Sequence, residues 1–394
     1  MFRLWRYLQK NSAATLVIVM LVGSGDLRAE PYLAVRHGYK CSQCHVNPTG
    51  GGMRTRFGNI YAQTRLPREV LSSRQVRSFL DGDPDGPDDS PVDAILPASS
   101  YFSGRFADVA ALGGDFRLNY RTVFGGADDE SSSFDLAAGN LYGALELLGG
   151  GLTVYLDEDV APGGASAREA FGLLRGPKSS YLKAGRIMLP FGLRIEDDEA
   201  FVRELTGFNF GVQDLGVEAG WEPGPWSMAV AASNGSQGSS DDNKDKQATA
   251  LVSFIDRHWR LGTHATWNNA ATANRFAVGG FAGVGFGPLA LLGEIDHVVD
   301  ELEEVAGEPT THQLLVYGAA SYEVTRGVNL RFAYDWADPD TGKSDDSFIR
   351  LSWGIEYFPV QFVQLRAFYR YRDDIEASPR DDESVLDFEL HVFF

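Results

Sequence analysis

The chain ends in SVLDFELHVFF, residues 384–394, and this stretch alternates with a period of two. Leu386, Phe388, Leu390, Val392 and Phe394 fall on one face of an extended strand, and Asp387, Glu389 and His391 fall on the other. The same pattern runs back up the chain. Val363, Leu365, Ala367, Tyr369 and Tyr371 oppose Gln364, Arg366, Arg370 and Arg372. Ile349, Leu351, Trp353, Ile355 and Tyr357 oppose Arg350, Ser352 and Glu356, while Val328, Leu330, Phe332, Tyr334 and Trp336 oppose Asn329, Arg331 and Asp335. A soluble sandwich would turn its aliphatic face inward and would not need arginine so often on the second face. Aromatic residues gather toward strand ends, as in Tyr334 with Trp336 and Tyr369 with Tyr371, which is the pattern of an interfacial girdle. The reading is an all-β, transmembrane antiparallel barrel.

Connection lengths set its strand count and orientation. Short joins at 149–151, 176–178, 223–225, 256–258, 287–288, 325–327 and 359–360 alternate with long polar ones, among them 126–133, 157–164, 191–214, 236–246, 300–311, 338–346 and 373–383. Strands starting near 114, 134, 151, 166, 179, 215, 225, 247, 258, 274, 288, 310, 327, 346, 363 and 384 number about 16, an even count of the kind bacterial barrels require. Short turns belong on the periplasmic side, so both barrel ends face the periplasm. Ser99 to Leu112 reads as a lead-in rather than a seventeenth strand.

The first 29 residues combine Arg3, Arg6 and Lys10 with an apolar core from Ala13 to Val22 and end on Ala29. They read as a secretory signal peptide, with the mature chain starting near Glu30. Beyond them no run approaches the ~18 apolar residues of a spanning helix, which leaves a barrel open. A formal charge of −19 supplies no basic face for phosphates, so nucleic acid is not expected as a partner. Residues 30–80 form a basic segment of loop and short helix. Residues 81–98, opening with DGDPDGPDDSPVD, read as an acidic proline- and glycine-rich linker whose spacing lacks the closing glutamate of a calcium loop. Residues 99–394 then make the porin-like barrel.

Both cysteines lie in the basic segment, as Cys41-Ser42-Gln43-Cys44-His45. Two thiols at this spacing add to the vinyl groups of one haem, and the histidine that follows is placed under the iron. A disulfide is the main competing reading; a zinc site would need ligands that no nearby cysteine provides. The expected cofactor is therefore one covalent haem c on Cys41 and Cys44, with His45 on the iron. Met53, beyond Gly50-Gly51-Gly52, is the first candidate for the opposite axial ligand and His37 the second. Arg36, Arg54 and Arg56 are candidates to pair the propionates, and Tyr39, Phe57 and Tyr61 to wall the pocket.

A signal peptide, one CxxCH, a short haem segment with Phe57-Gly58 following, and a barrel closing on a terminal phenylalanine resemble the fused monohaem cytochrome c-porins of bacterial outer membranes, typified by iron-oxidising cytochromes. AGRIMLPFGLRIED, residues 184–197, is similar to the strand-to-loop segment of phosphate-selective-type porins. The resemblance implies electron transfer at the outer membrane, between an extracellular redox substrate such as Fe(II) and a periplasmic electron carrier, with membrane lipid around the barrel. Since one haem does not span a hydrocarbon slab ~25 Å tall, the segment is expected to enter the lumen as a plug. The alternatives are a transport porin, with Arg331, Arg350, Arg366, Arg370 and Arg372 guiding an anion, and a sheath around a separate multihaem cytochrome. The same arginines are expected to pair across strands with Asp335, Glu356, Asp387 and Glu389.

Overall fold

The computed structural model describes residues 30–72, 75, 102–106, 109–125, 130–160, 165–195, 197–237, 244–270, 273–302, 310–374 and 383–394. The stretches read from the sequence as a signal peptide, 1–29, and as a linker, 81–98, lie outside these. Sixteen long strands, the first Ala110–Gly125 and the last Glu383–Phe393, pair antiparallel in chain order, and the last pairs with the first to close a barrel. The lead-in differs from expectation in one respect. Arg105–Phe106 forms a two-residue ladder against the foot of the first strand, which itself begins at Ala110 rather than near 114. The closed ring is untouched by it, and parity survives.

Burial across the wall is inverted relative to a soluble protein. Phe388 is 48% exposed, Trp353 45% and Leu330 49% on the outer face, whereas Asp335, Glu356 and Gln364 are 0% exposed on the inner one. Apolar residues that face outward belong against hydrocarbon, and alternation dictates that the charges between them face the lumen. Trp221, Trp226, Phe254 and Trp259 gather beside the short turns, with both Trp226–Phe254 and Phe254–Trp259 ring centroids 5.0 Å apart. All seven predicted short joins lie at one end. The opposite end carries the long ones and one unforeseen tight join, because the strands Trp259–Ala270 and Ala273–Phe286 leave only residues 271–272 between them.

The seam is closed at the chain terminus. Phe394 N–H donates to Gly114 O at 3.0 Å, Gly114 N–H donates to Phe394 O at 3.1 Å, and the Phe394 ring lies 6.2 Å from that of Phe102. Deleting Phe394 removes both bonds and this contact. The heat-modifiable, folded fraction of the protein on gels is expected to fall, and an unchanged fraction would contradict that assignment.

The lumen is filled from both ends. From the short-turn end, residues 30–72 lie across the turns. Lys40 Nζ donates to Glu222 O at 2.9 Å and Trp226 O at 2.7 Å, Arg326 donates to Pro67 O and Thr64 O, and Arg68 N–H donates to Phe358 O at 2.8 Å. Deeper in, Asn47 donates to Glu169 at 3.0 Å, Lys183 donates to Asn47 at 3.0 Å, and the Tyr32 hydroxyl donates to Glu356 at 2.7 Å. From the other end, the connection after Ser180–Ile187 folds inward. It carries the helical turn Phe201–Glu204 and ends where the next strand starts at Asp214. Its Leu193 N–H donates to Glu294 at 2.7 Å, its Phe201 N–H to Asp335 at 3.1 Å, and its Arg203 pairs with Glu294. The two insertions meet where Gly51 backs onto Phe210 and Met188. AGRIMLPFGLRIED is thus a strand end that becomes the start of the inward-folded connection.

Candidate haem-binding cavity

The cysteine motif is built by local backbone chemistry. Cys41–Cys44 is a single helical turn, α2, following the helix α1 (Pro31–His37) and its left-handed glycine cap, Gly38. Gln43 Oε1 accepts from Lys40 N–H at 2.8 Å to cap the turn, and His45 N–H donates to Cys41 O at 2.8 Å. The chain then makes a hairpin, in which Val46 N–H donates to Met53 O at 2.9 Å and His45 bridges Arg54. Gly50, Gly51 and Gly52 turn it with φ of +97°, +85° and +63°, a region L side chains rarely adopt. Thr55 then caps the helix α3 (Arg56–Thr64) by accepting from Gly58 N–H at 3.1 Å. Helix α3 crosses α2 at Gly58, where a Cβ would lie 2.2 Å from the Cys44 carbonyl oxygen.

Cys41, Cys44 and His45 open onto one cavity inside the barrel, with about 1210 Å³ of empty space including its open mouth. Both thiols are free. Burial pushes the Cys44 thiol up to about 11, and burial followed by Arg54 pushes the His45 imidazole down to about 4. His45 is therefore neutral at ordinary pH, as a metal ligand must be. Its Nδ1 lies 3.4 Å from Gly52 O, which orients the ring and leaves Nε2 as the nitrogen available to a metal.

The structure sorts the remaining sequence candidates. Tyr39 and Tyr61 line the cavity, and Phe57 stands behind them, 44% exposed with its ring 5.2 Å from that of Tyr39. Arg54 lines it too, its guanidinium 4.4 Å over the Phe393 ring. Arg36 does not: it reaches Glu323, Asn329 and Ser321, and with His37 it lines a neighbouring cavity at the short turns. Arg56 faces solvent. Met53 is buried against the barrel wall, beside Gly113, with its N–H donating to the Tyr155 hydroxyl at 3.0 Å, and is not among the residues lining the cavity. Its backbone closes the hairpin, and that turns its side chain to the wall; neither Met53 nor His37 faces the space onto which His45 opens.

Other lining residues were not among the sequence candidates for this site. Phe191 and Arg194 come from the inward-folded connection, and Ala229, Leu251 and Arg260 come from the barrel wall. Arg260 had one available clue, since it shares the lumen register with His264 and Thr266. Arg194 had none, because only folding of its connection into the lumen brings it here.

The lumen arginines are paired as the alternation predicted. Arg331 meets Glu356 at 2.5 Å, Arg350 meets Asp335 at 3.0 Å, Arg366 meets Glu389 at 3.3 Å, and Arg370 meets Asp387. The plug reaches Glu356 through Tyr32 rather than through its own arginines, because barrel arginines already hold that carboxylate. On the opposite wall His264, Glu294 and Asp296 gather closely enough to hold a cation, with His264 Nε2 at 2.6 Å from Asp296. The Arg203 guanidinium supplies that cation from the chain itself.

OmpT of Vibrio cholerae, as a loop L8 deletion mutant, matches with a TM-score of 0.59 at 11% identity, over 73% of this chain and 100% of that one. An anion-selective porin from Comamonas acidovorans matches with a TM-score of 0.59 at 13% identity, over 72% and 99%. The outer membrane channel DcaP of Acinetobacter baumannii matches with a TM-score of 0.56 at 13% identity, over 74% and 99%. The barrel is porin-like. No protein-family model and no curated protein matches the chain. About a quarter of this chain lies outside each of these porin-like alignments.

Proposed function

We propose that the chain is an outer-membrane, porin-like barrel whose lumen holds a plug carrying one haem c, and that it exchanges single electrons between an extracellular redox substrate and a periplasmic carrier. The observation that carries this reading is the enclosure of Cys41, Cys44 and His45 in one lumen cavity, with the His45 ring oriented by Gly52 O. The residues fit the group. Two thiols and an imidazole share one wall, and the lining cations Lys40, Arg54, Arg117, Arg194 and Arg260 face a single carboxylate, Glu30. A bound haem supplies a one-electron couple. The chain's own part is to hold His45 neutral and oriented, to wall the cavity with Tyr39, Tyr61 and Phe191, and to close both mouths. The likeness to porins supports outer-membrane placement, with lipid against the apolar outer face.

The transport porin is the second reading, and the likeness to porins and channels favours it over electron transfer. The filled lumen weighs the other way. Asp157, Glu169, Lys183 and Glu218, all lumen-facing, are 0% exposed, whereas an open water-filled channel would wet them. Haem content by pyridine haemochrome spectra of protein from a haem-maturing host tests the first reading, with about one haem per chain as the expected result. Gly58→Ala is expected to lower that content, because the added methyl meets the Cys44 carbonyl and overpacking of this kind costs about 1–3 kcal/mol. A full complement in the variant would show that the α2–α3 crossing tolerates the displacement.

A further inference from the structure

Arg194 and Arg260 face the cavity, and both are more than nine-tenths buried, at 7% and 8% exposure. Among the described residues neither makes an ion pair. Arg194 donates to Leu189 O, and Arg260 Nη1 lies 3.8 Å from Cys41 Sγ with its plane over the Phe281 ring. Arg260 Nε has no partner at all. Arg117, Arg331, Arg350, Arg366 and Arg370 elsewhere in the lumen each hold a carboxylate, while Arg168, which does not line the cavity, donates to Phe210 O. A buried guanidinium without an anion is costly, and such a cost persists where a ligand relieves it. The ligand class is thus a planar acceptor with two negative charges, matched to two forks arriving from different walls.

We infer that Arg194 and Arg260 are the binding partners of the two haem propionates. This rests on the haem reading above and extends it: one arginine belongs to the inward-folded connection and the other to the barrel wall, so the haem joins plug, loop and barrel. The propionate partners are then not the plug's Arg36 and Arg56. Arg54 and Lys40 face the same space, but Arg54 stacks on Phe393 and Lys40 is held by two backbone carbonyls.

The test is a potentiometric titration of the full-length holoprotein at pH 8, where freed propionates stay ionised. Loss of a nearby cation disfavours the added electron, so Arg194→Gln and Arg260→Gln are each expected to lower the haem midpoint potential. Arg194→Lys and Arg260→Lys should return part of the shift, and Arg275→Gln, which alters a guanidinium outside the cavity, should leave it unchanged. Holoprotein with unshifted potentials in both glutamine variants would overturn the inference while leaving the haem reading intact. Parent protein without haem would overturn the haem reading itself. Should a glutamine variant not assemble, resonance Raman spectra of the parent decide: propionate bending modes of guanidinium-bonded carboxylates are expected, and modes of unbonded carboxylates would overturn the inference.

Discussion

Replacing Cys41 and Cys44 together by alanine is expected to abolish the peroxidase-active band that the parent protein gives on a denaturing gel. Only a covalent bond survives that denaturation, and these are the only two cysteines in the chain. The effect is all or none, which makes it the largest expected. The barrel should still form, because the seam at Gly114 and Phe394 and the pairing of all sixteen strands do not involve either thiol. Retention of a peroxidase-active band in the double variant would remove the haem assignment. Loss of the folded, heat-modifiable form as well would indicate instead that the plug is required for the barrel to assemble.

The second large effect concerns the inward-folded connection. Arg203 is 1% exposed and meets Glu294, with Asp296 at 3.9 Å. Truncating it to alanine leaves two carboxylates buried without the guanidinium, keeping the Leu193 N–H and His264 as partners, and breaking a buried pair in this way costs about 3–5 kcal/mol. Residues 188–213 should then leave the lumen, and limited proteolysis is expected to cut within them in Arg203→Ala but not in the parent. Adding Glu294→Gln should restore much of the resistance, because the cost comes from the stranded charge and not from the lost contact. Equal resistance of parent and Arg203→Ala would show that the connection is held by its apolar contacts alone, among them Phe191 stacked on Phe208 at 4.0 Å.

Legibility in the sequence followed the physical reach of each signal. Alternation is enforced residue by residue by a wall with lipid on one side, so SVLDFELHVFF and its companions gave the barrel, its inward arginines and nearly every strand start. The CxxCH turn was equally plain, since its chemistry is local. What escaped was set by long-range docking. Arg194 reaches the cavity because its connection folds into the lumen, and Arg260 because its strand stands opposite Cys41, some 219 positions away in the chain. Met53 stood at a plausible distance from His45 along the chain, yet closing the hairpin at Val46 and Met53 turned its side chain to the wall. Nor does any local pattern reveal how the plug reaches Glu356: the wall's own Arg331 and Arg366 hold that carboxylate, and the plug meets it through Tyr32.

Residues 30–72 close the lumen of a porin-like barrel. Single-channel conductance in planar bilayers tests it, comparing the full-length protein with one lacking those residues. Little or intermittent conductance is expected from the full-length protein, and a steady pore after the deletion. A steady, wide channel of equal conductance in both would contradict it.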